Sequence, residues 1–146
     1  YMGIDSMQEQ VLNQNIDISG HRILLAEDNE LNWEIAREIL SDMGMELEWA
    51  EDGEICLQKF QESPEGYYDA ILMDIRMPRM TGYDATKAIR SLERSDASVI
   101  PIIAMTADAF SEDIEKCLEC QMNAHIAKPI AAFAALSNKY KRIKIR

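Results

Sequence analysis

Four short aliphatic runs, each closed by a polar or charged group, constrain this chain more than any other feature. They are Arg22-Ile-Leu-Leu-Ala26, Ala70-Ile-Leu-Met73, Pro101-Ile-Ile-Ala-Met105 and Ala124-His-Ile-Ala127, followed by Glu27-Asp28, Asp74, Thr106 and Lys128. Read as parallel strands of one sheet, they deliver three carboxylates, a hydroxyl and an ammonium to a single carboxyl edge. That edge is where open α/β sheets place ligands. Such a set suggests a divalent cation and a phosphoryl group.

The stretches between the runs carry helical spacing. Leu31, Ile35, Ala36, Ile39, Leu40 and Met43 recur as the inward face of a first predicted helix, which Gly44 stops. Residues 46–50 alternate like a short strand. Residues 53–60 read as a helix with Cys56, Leu57 and Phe60 inward, broken by Ser63-Pro64-Glu65-Gly66. Met77-Pro78 forces a loop, Gly82 precedes a helix burying Ala85 and Ile89, and residues 95–98 form a polar loop. Ser111 is the expected N-cap of a helix carrying Ile114, Cys117 and Leu118, and a last helix follows Pro129 over about residues 131–140. Strands alternating with helices of this length predict an α/β domain: a doubly wound (βα)5 fold on a five-stranded parallel sheet.

The 146 residues suit one domain with a tail or two. Residues 1–20 read as a linker or the remnant of a preceding segment, 21–140 as the domain, and 141–146 as a basic tail. Because the chain opens on Tyr1, it reads as a cut from something longer. A net charge of −11 argues against nucleic-acid binding, since phosphate backbones need Lys and Arg. No apolar run approaches the roughly 18 residues of a membrane span, so no membrane contact is expected of this domain. The three cysteines are too few and too odd for a disulfide framework, and predict cytoplasmic residence. Cys117-Leu-Glu-Cys120 matches C-x-x-C, but it closes a helix, whereas a redox thiol wants a helix N-terminus. Cys117 is expected to pack with Ile114 and Leu118 as core.

Mg²⁺ takes near-octahedral oxygen coordination from one or two carboxylates, keeps several waters and accepts phosphate oxygens. Asp28 and Asp74 suit direct ligation, and Glu27 suits a metal-bound water. Asp74 can then act as a nucleophile on phosphorus, with Lys128 and the Thr106 hydroxyl each meeting a phosphoryl oxygen. Taken singly, a strand-terminal Glu-Asp is usually a helix cap, as Asp28 before Asn29 would be. A Thr ending a strand is usually a turn, and a Lys before Pro is usually solvated. It is their order at successive strand ends that points to chemistry.

Glu27-Asp28-Asn29, Met73-Asp74-Ile-Arg-Met77-Pro78, Met80-Thr-Gly82, Met105-Thr106-Ala107 and Lys128-Pro129 resemble the signature of response-regulator receiver domains. The resemblance runs from about residue 21 to 130 and more weakly to 140. It implies a flavodoxin-like receiver fold, Mg²⁺ or Mn²⁺ as cofactor, and Asp74 as acceptor of a phosphoryl group from a phosphohistidine, with slow self-hydrolysis. It also implies that the Arg76 backbone carbonyl ligates the metal and that Met77 and Pro78 form a loop over the site. His125 falls where the family places a switch aromatic that follows Thr106. The stretch 27–36, with 123–129, is similar to receivers of hybrid sensor histidine kinases, and Asp17-Ile-Ser-Gly20 resembles their linker. A histidine kinase or histidine phosphotransfer protein is then the partner, in the cytoplasm or tethered to a membrane-bound sensor. Trp33 and Pro129 are the candidate contacts, Trp33 lying roughly 100° off the buried centre of its helix.

Three departures stand out. Gln121 replaces the glycine that often ends the fourth helix of relatives, the last helix begins Ala131-Ala132 without an acidic cap, and residues 133–146 match poorly. Arg76 and Asp108 occupy positions that tune dephosphorylation in the family, and they are expected to pair across the site mouth. The alternative function is a Mg²⁺-dependent phosphatase working through an aspartyl phosphate, but Arg76 stands where such enzymes carry a second Asp. A flavodoxin-like cofactor binder would need a Gly- or Ser/Thr-rich phosphate loop after the first strand, which this chain lacks.

Overall fold

A computed structural model describes residues 21–106 and 112–127. Five strands alternate with four helices: β1 (Arg22–Ala26), α1 (Glu30–Asp42), β2 (Glu46–Ala50), α2 (Gly53–Glu62), β3 (Ala70–Asp74), α3 (Gly82–Arg90), β4 (Ile102–Thr106), α4 (Glu112–Glu119) and β5 (Ala124–Ala127). All pairings are parallel, in the order β2-β1-β3-β4-β5. The predicted last helix, its Ala131-Ala132 start, the Ser111 cap and the terminal segments 1–20 and 141–146 lie outside the described residues.

A parallel sheet needs cover on both faces, and its inner strands read as continuous apolar runs. Every residue of β3 and β4 is buried. Alternate residues serve opposite faces. Ile23, Leu25, Leu72, Ile103, Met105 and Ile126 pack with Ala36 and Leu40 of α1. Leu24, Ala26, Ile71, Met73, Ile102 and Ala104 pack with Cys56 and Phe60 of α2, Ala85 and Ile89 of α3, and Cys117 of α4. Each large side chain so buried is worth about 1.5–3 kcal/mol.

Two helices sit differently from their expected faces. Leu31 and Ile35 were expected to point inward, yet they are 64% and 40% exposed. The face of α1 on the core runs through Trp33, Ala36, Leu40 and Met43. At roughly 100° per residue, Leu31 lies about 140° round the helix from Ala36. Trp33 takes up the contact by stacking on Trp49 of β2, ring centroids 5.4 Å apart and planes within 3°. On α4, Cys117 is buried as expected, but Leu118 is exposed and takes no part in the core. The side chain of Ile114 lies outside the described residues.

Helices α1 and α4 end in the same hydrogen-bonded motif. Met45 N–H bonds Leu40 O and Gly44 N–H bonds Ser41 O, while Met122 N–H bonds Cys117 O and Gln121 N–H bonds Leu118 O. This Schellman pattern requires a left-handed residue at its turn. Gly44 supplies it at φ 89°, and Gln121 is forced to φ 71°.

Two arginines knit the loops at the amino edge of the sheet. Arg94 pairs with Asp96 at 2.6 Å and donates to Phe60 O and Ser63 O, capping the end of α2. Asp96 also accepts from Gly66 N–H, and Glu65 accepts from Ser95. The Arg94 guanidinium holds the Asp96 carboxyl below its ordinary value. This clasp therefore stands at neutral pH and loosens only as acid protonates Asp96. Arg90 donates to Ala97 O, Ile100 O, Gln121 O and Asn123 Oδ1, and the last of these also accepts from Ile102 N–H.

Left-handed backbone costs a non-glycine residue about 1–2 kcal/mol, part of which glycine returns through its freer unfolded chain. Gln121 engages Arg90 through its backbone oxygen, which glycine retains. Gln121→Gly should raise the unfolding free energy by about 0.5–1 kcal/mol in urea titration.

Candidate metal and phosphoryl site

The sheet register assembles the site. Strands β1 and β3 are neighbours, with Ala26 opposite Met73, so Glu27 and Asp28 emerge beside Asp74. Asp74 pairs with Met105 and Thr106 with Ala127, which brings the ends of β4 and β5 to the same edge. One ligand atom from each of Glu27, Asp28 and Asp74 lies within 4.8 Å of the others. Lys128 and Pro129, next after Ala127, lie outside the described residues, as does Asp108.

Glu27 and Asp74 are buried while Asp28 is exposed, so the cluster opens to solvent through Asp28. Backbone donors orient the two buried groups: Asn29 N–H meets Glu27 Oε2 at 3.2 Å and Arg76 N–H meets Asp74 Oδ1 at 3.1 Å. The N-cap of α1 is Asn29, whose side chain accepts from Asn32 N–H. Asp28 is therefore not spent on capping. Three carboxylates this close repel by on the order of 3 kcal/mol per pair at an effective dielectric of about 20. A hard divalent cation with oxygen ligands relieves that repulsion, and the donor set fits Mg²⁺.

Thr106 is fully buried, and its hydroxyl has no hydrogen-bond partner among the described residues. An orphaned buried hydroxyl costs roughly 1–3 kcal/mol. An incoming group rich in acceptor oxygens would satisfy it. A second such hydroxyl, Thr86 on α3, is likewise buried.

The loop after β3 is anchored tightly. Ile75 and Met77 are buried, and Gly82 N–H bonds Ile75 O at 3.1 Å. Arg79 adopts φ 65° and pairs with Asp52, a fully buried carboxylate that also caps α2 through Ile55 N–H. Asp52, Arg79 and Trp49 escaped sequence reasoning. Asp52 did leave a signal, since an Asp three residues before Ile55 at a strand-to-helix junction is an N-cap pattern.

His125 is buried on β5 opposite Ala104, and burial pushes its imidazole below the ordinary value, so it is neutral at pH 7. The cysteines are buried, with Cys56 pushed up to about 12 and Cys120 also raised by desolvation. Raised thiols are poor nucleophiles and poor redox centres. Among the described residues no helix is long and apolar enough to cross a membrane.

The profile of the response regulator receiver domain matches residues 23–140. Hybrid signal transduction histidine kinase I of Dictyostelium discoideum is 41% identical over 79% of this chain. Histidine protein kinase 1 of Candida albicans is 40% identical over 75% of it. The chain spans 7% and 5% of the lengths of these two relatives. Among solved structures, the receiver domain of a sensor histidine kinase of Pseudomonas aeruginosa, with a magnesium ion in its active-site cleft, is 36% identical. It matches at TM-score 0.69 over 82% of this chain and 97% of its own. The receiver domain of the Arabidopsis thaliana histidine kinase CKI1, complexed with Mg²⁺ and BeF₃⁻, is 27% identical at TM-score 0.69, over 94% of this chain and 96% of its own.

Gly82 packs directly behind the acidic cluster. A β-carbon there would lie 2.5 Å from Asp74 O and 2.7 Å from the Ile75 Cα, both backbone atoms that cannot swing away. Gly82→Ala should cost about 1–3 kcal/mol of stability, read by thermal or urea unfolding.

Proposed function

The chain belongs to the response regulator receiver family, and on that footing we propose that Asp74 is its phosphoacceptor, taking a phosphoryl group from a phosphohistidine. The observation that carries this reading is the meeting of Asp74 with Glu27 and Asp28 within 4.8 Å, at the strand edge that also holds the unpartnered Thr106 hydroxyl. Glu27, Asp28, Asp74 and the Arg76 carbonyl hold Mg²⁺ or Mn²⁺, which when bound neutralises charge on the transferring phosphoryl oxygens.

An Asp74 carboxylate oxygen forms the bond to phosphorus as the phosphorus–nitrogen bond of the donor breaks. The electron pair leaves on the imidazole, which takes up a proton. Arg76 N–H on Asp74 Oδ1 helps to orient the carboxylate for attack. The Thr106 hydroxyl donates to one phosphoryl oxygen and Lys128 pairs with another. As Thr106 moves toward the phosphoryl group, His125 follows it. Its neutral ring shifts within an apolar setting at far less cost than an imidazolium would.

The donor is a histidine kinase or histidine phosphotransfer protein, met in the cytoplasm or beside a membrane-bound sensor within a hybrid kinase. Exposed Leu31 and Ile35 on α1, with the edge of Trp33 and with Pro129, offer apolar anchors for a helix that presents its histidine to Asp74.

Incubation with phosphoramidate and Mg²⁺ should label the wild-type chain and leave Asp74→Asn unlabelled by intact mass. Label that survives the substitution overturns the assignment. Arg76 and Asp108 restrict the hydrolytic water, so Arg76→Ala should shorten the aspartyl-phosphate lifetime by several-fold. An unchanged lifetime in a phosphate-release assay would remove that role.

A further inference from the structure

Beyond its three carboxylates, the acidic site is flanked by an aromatic pair that the chemistry above does not use. Trp49 Nε1–H donates to the backbone oxygen of Glu27 at 2.7 Å, while Glu27 N–H donates to Ala50 O at 3.0 Å. Both ends of the Glu27 residue are thus tied to β2. The tie through the indole is unusual in origin. The β1–β2 ladder ends at the Ala26–Ala50 pair, and the chain beyond Ala50 turns away into α2, capped by Asp52. A main-chain donor that would continue the ladder has therefore left, and the indole N–H takes its place as one further rung.

The indole is itself held. Trp33, projecting from α1, stacks on Trp49 in an offset arrangement, with planes 3° apart and centroids 5.4 Å apart. Such a contact fixes the direction of the ring and so the direction of its N–H. A short chain of contacts runs from α1 through both rings into the Glu27 backbone. From there, Asn29 N–H fixes the Glu27 carboxylate.

We propose that Trp49, braced by Trp33, is a positioning residue for the divalent-cation site: its indole N–H on the Glu27 carbonyl preorganises the Glu27 carboxylate for Mg²⁺. The inference rests on the metal-site reading above and adds residues outside the ligand set. Mg²⁺ demands near-ideal octahedral geometry, whereas Ca²⁺ tolerates irregular ligands. Loosening Glu27 must therefore weaken Mg²⁺ more than Ca²⁺, a distinction that general destabilisation of the fold would not produce.

The chain has two tryptophans, so each phenylalanine variant leaves one indole as its own reporter. Trp49→Phe keeps a ring for Trp33 to stack on and removes only the N–H. Calorimetric titration of the folded variant should show Mg²⁺ binding weakened by about three- to tenfold, with Ca²⁺ binding weakened less. In Trp33→Phe, the remaining Trp49 fluorescence should respond to Mg²⁺ with the midpoint measured by calorimetry. Unchanged Mg²⁺ affinity and Mg²⁺/Ca²⁺ ratio in Trp49→Phe overturn the proposal. If that variant does not fold, a Trp49 signal in Trp33→Phe that ignores Mg²⁺ overturns it instead. A wild-type chain that binds no Mg²⁺ overturns the metal site itself, a separate result from a wild type that binds it beside an unaffected Trp49→Phe.

Discussion

Electrostatic repulsion among Glu27, Asp28 and Asp74 sets the terms for the rest of this fold. Two of the three carboxylates are buried, and their ligand atoms share a space under 5 Å across. A rigid frame holds them together. The frame is the adjacency of β1 and β3, each locked by its ladder and packed on both faces. The N-terminus of α1, starting two residues after Asp28, adds backbone N–H groups and the positive end of a helix dipole close to the cluster. Apolar burial along the strands offsets what the acids cost, and a cation then finds its ligands already gathered.

The arrangement has a second half, built on hydrogen bonds left unmade. The buried Thr106 hydroxyl has no partner among the described residues, so the resting protein carries a polar group better suited to an arriving oxyanion than to its present surroundings. The acids and the hydroxyl are thus complementary. One side of the site gathers negative charge, which a divalent cation would offset, and the other holds a hydroxyl that an acceptor oxygen would satisfy.

Much of this was legible in the order of residues. Short aliphatic runs, one alternating stretch and period-3.6 patterns placed the described strands and helices, and functional groups that end the runs announced the edge where they meet. Gln121 in place of glycine correctly pointed to a left-handed position. What the sequence hid depends on how elements lie against each other. Leu31 and Ile35 match the helical spacing of Ala36 and Leu40, but only the docking angle of α1 decides which neighbours of that stripe meet the sheet. Leu118 was expected beside Cys117 for the same reason, and it faces outward. The Trp33–Trp49 stack joins residues on different elements, and the Asp52–Arg79 pair spans 27 positions. No local pattern announces either contact, because each becomes possible only after the sheet has formed.

The arginine network at the amino edge has a consequence for how such a molecule can change over time. Arg94 and Arg90 fasten three loops that lie at the far end of the strands from the acids. Structural insurance and chemical adjustment are therefore held in separate places. Exposed positions near the acids can change without touching these ties, while Gly82 and the Asp52–Arg79 pair hold the loop after β3 in its place. A lineage can explore new surfaces at that edge while keeping the same scaffold.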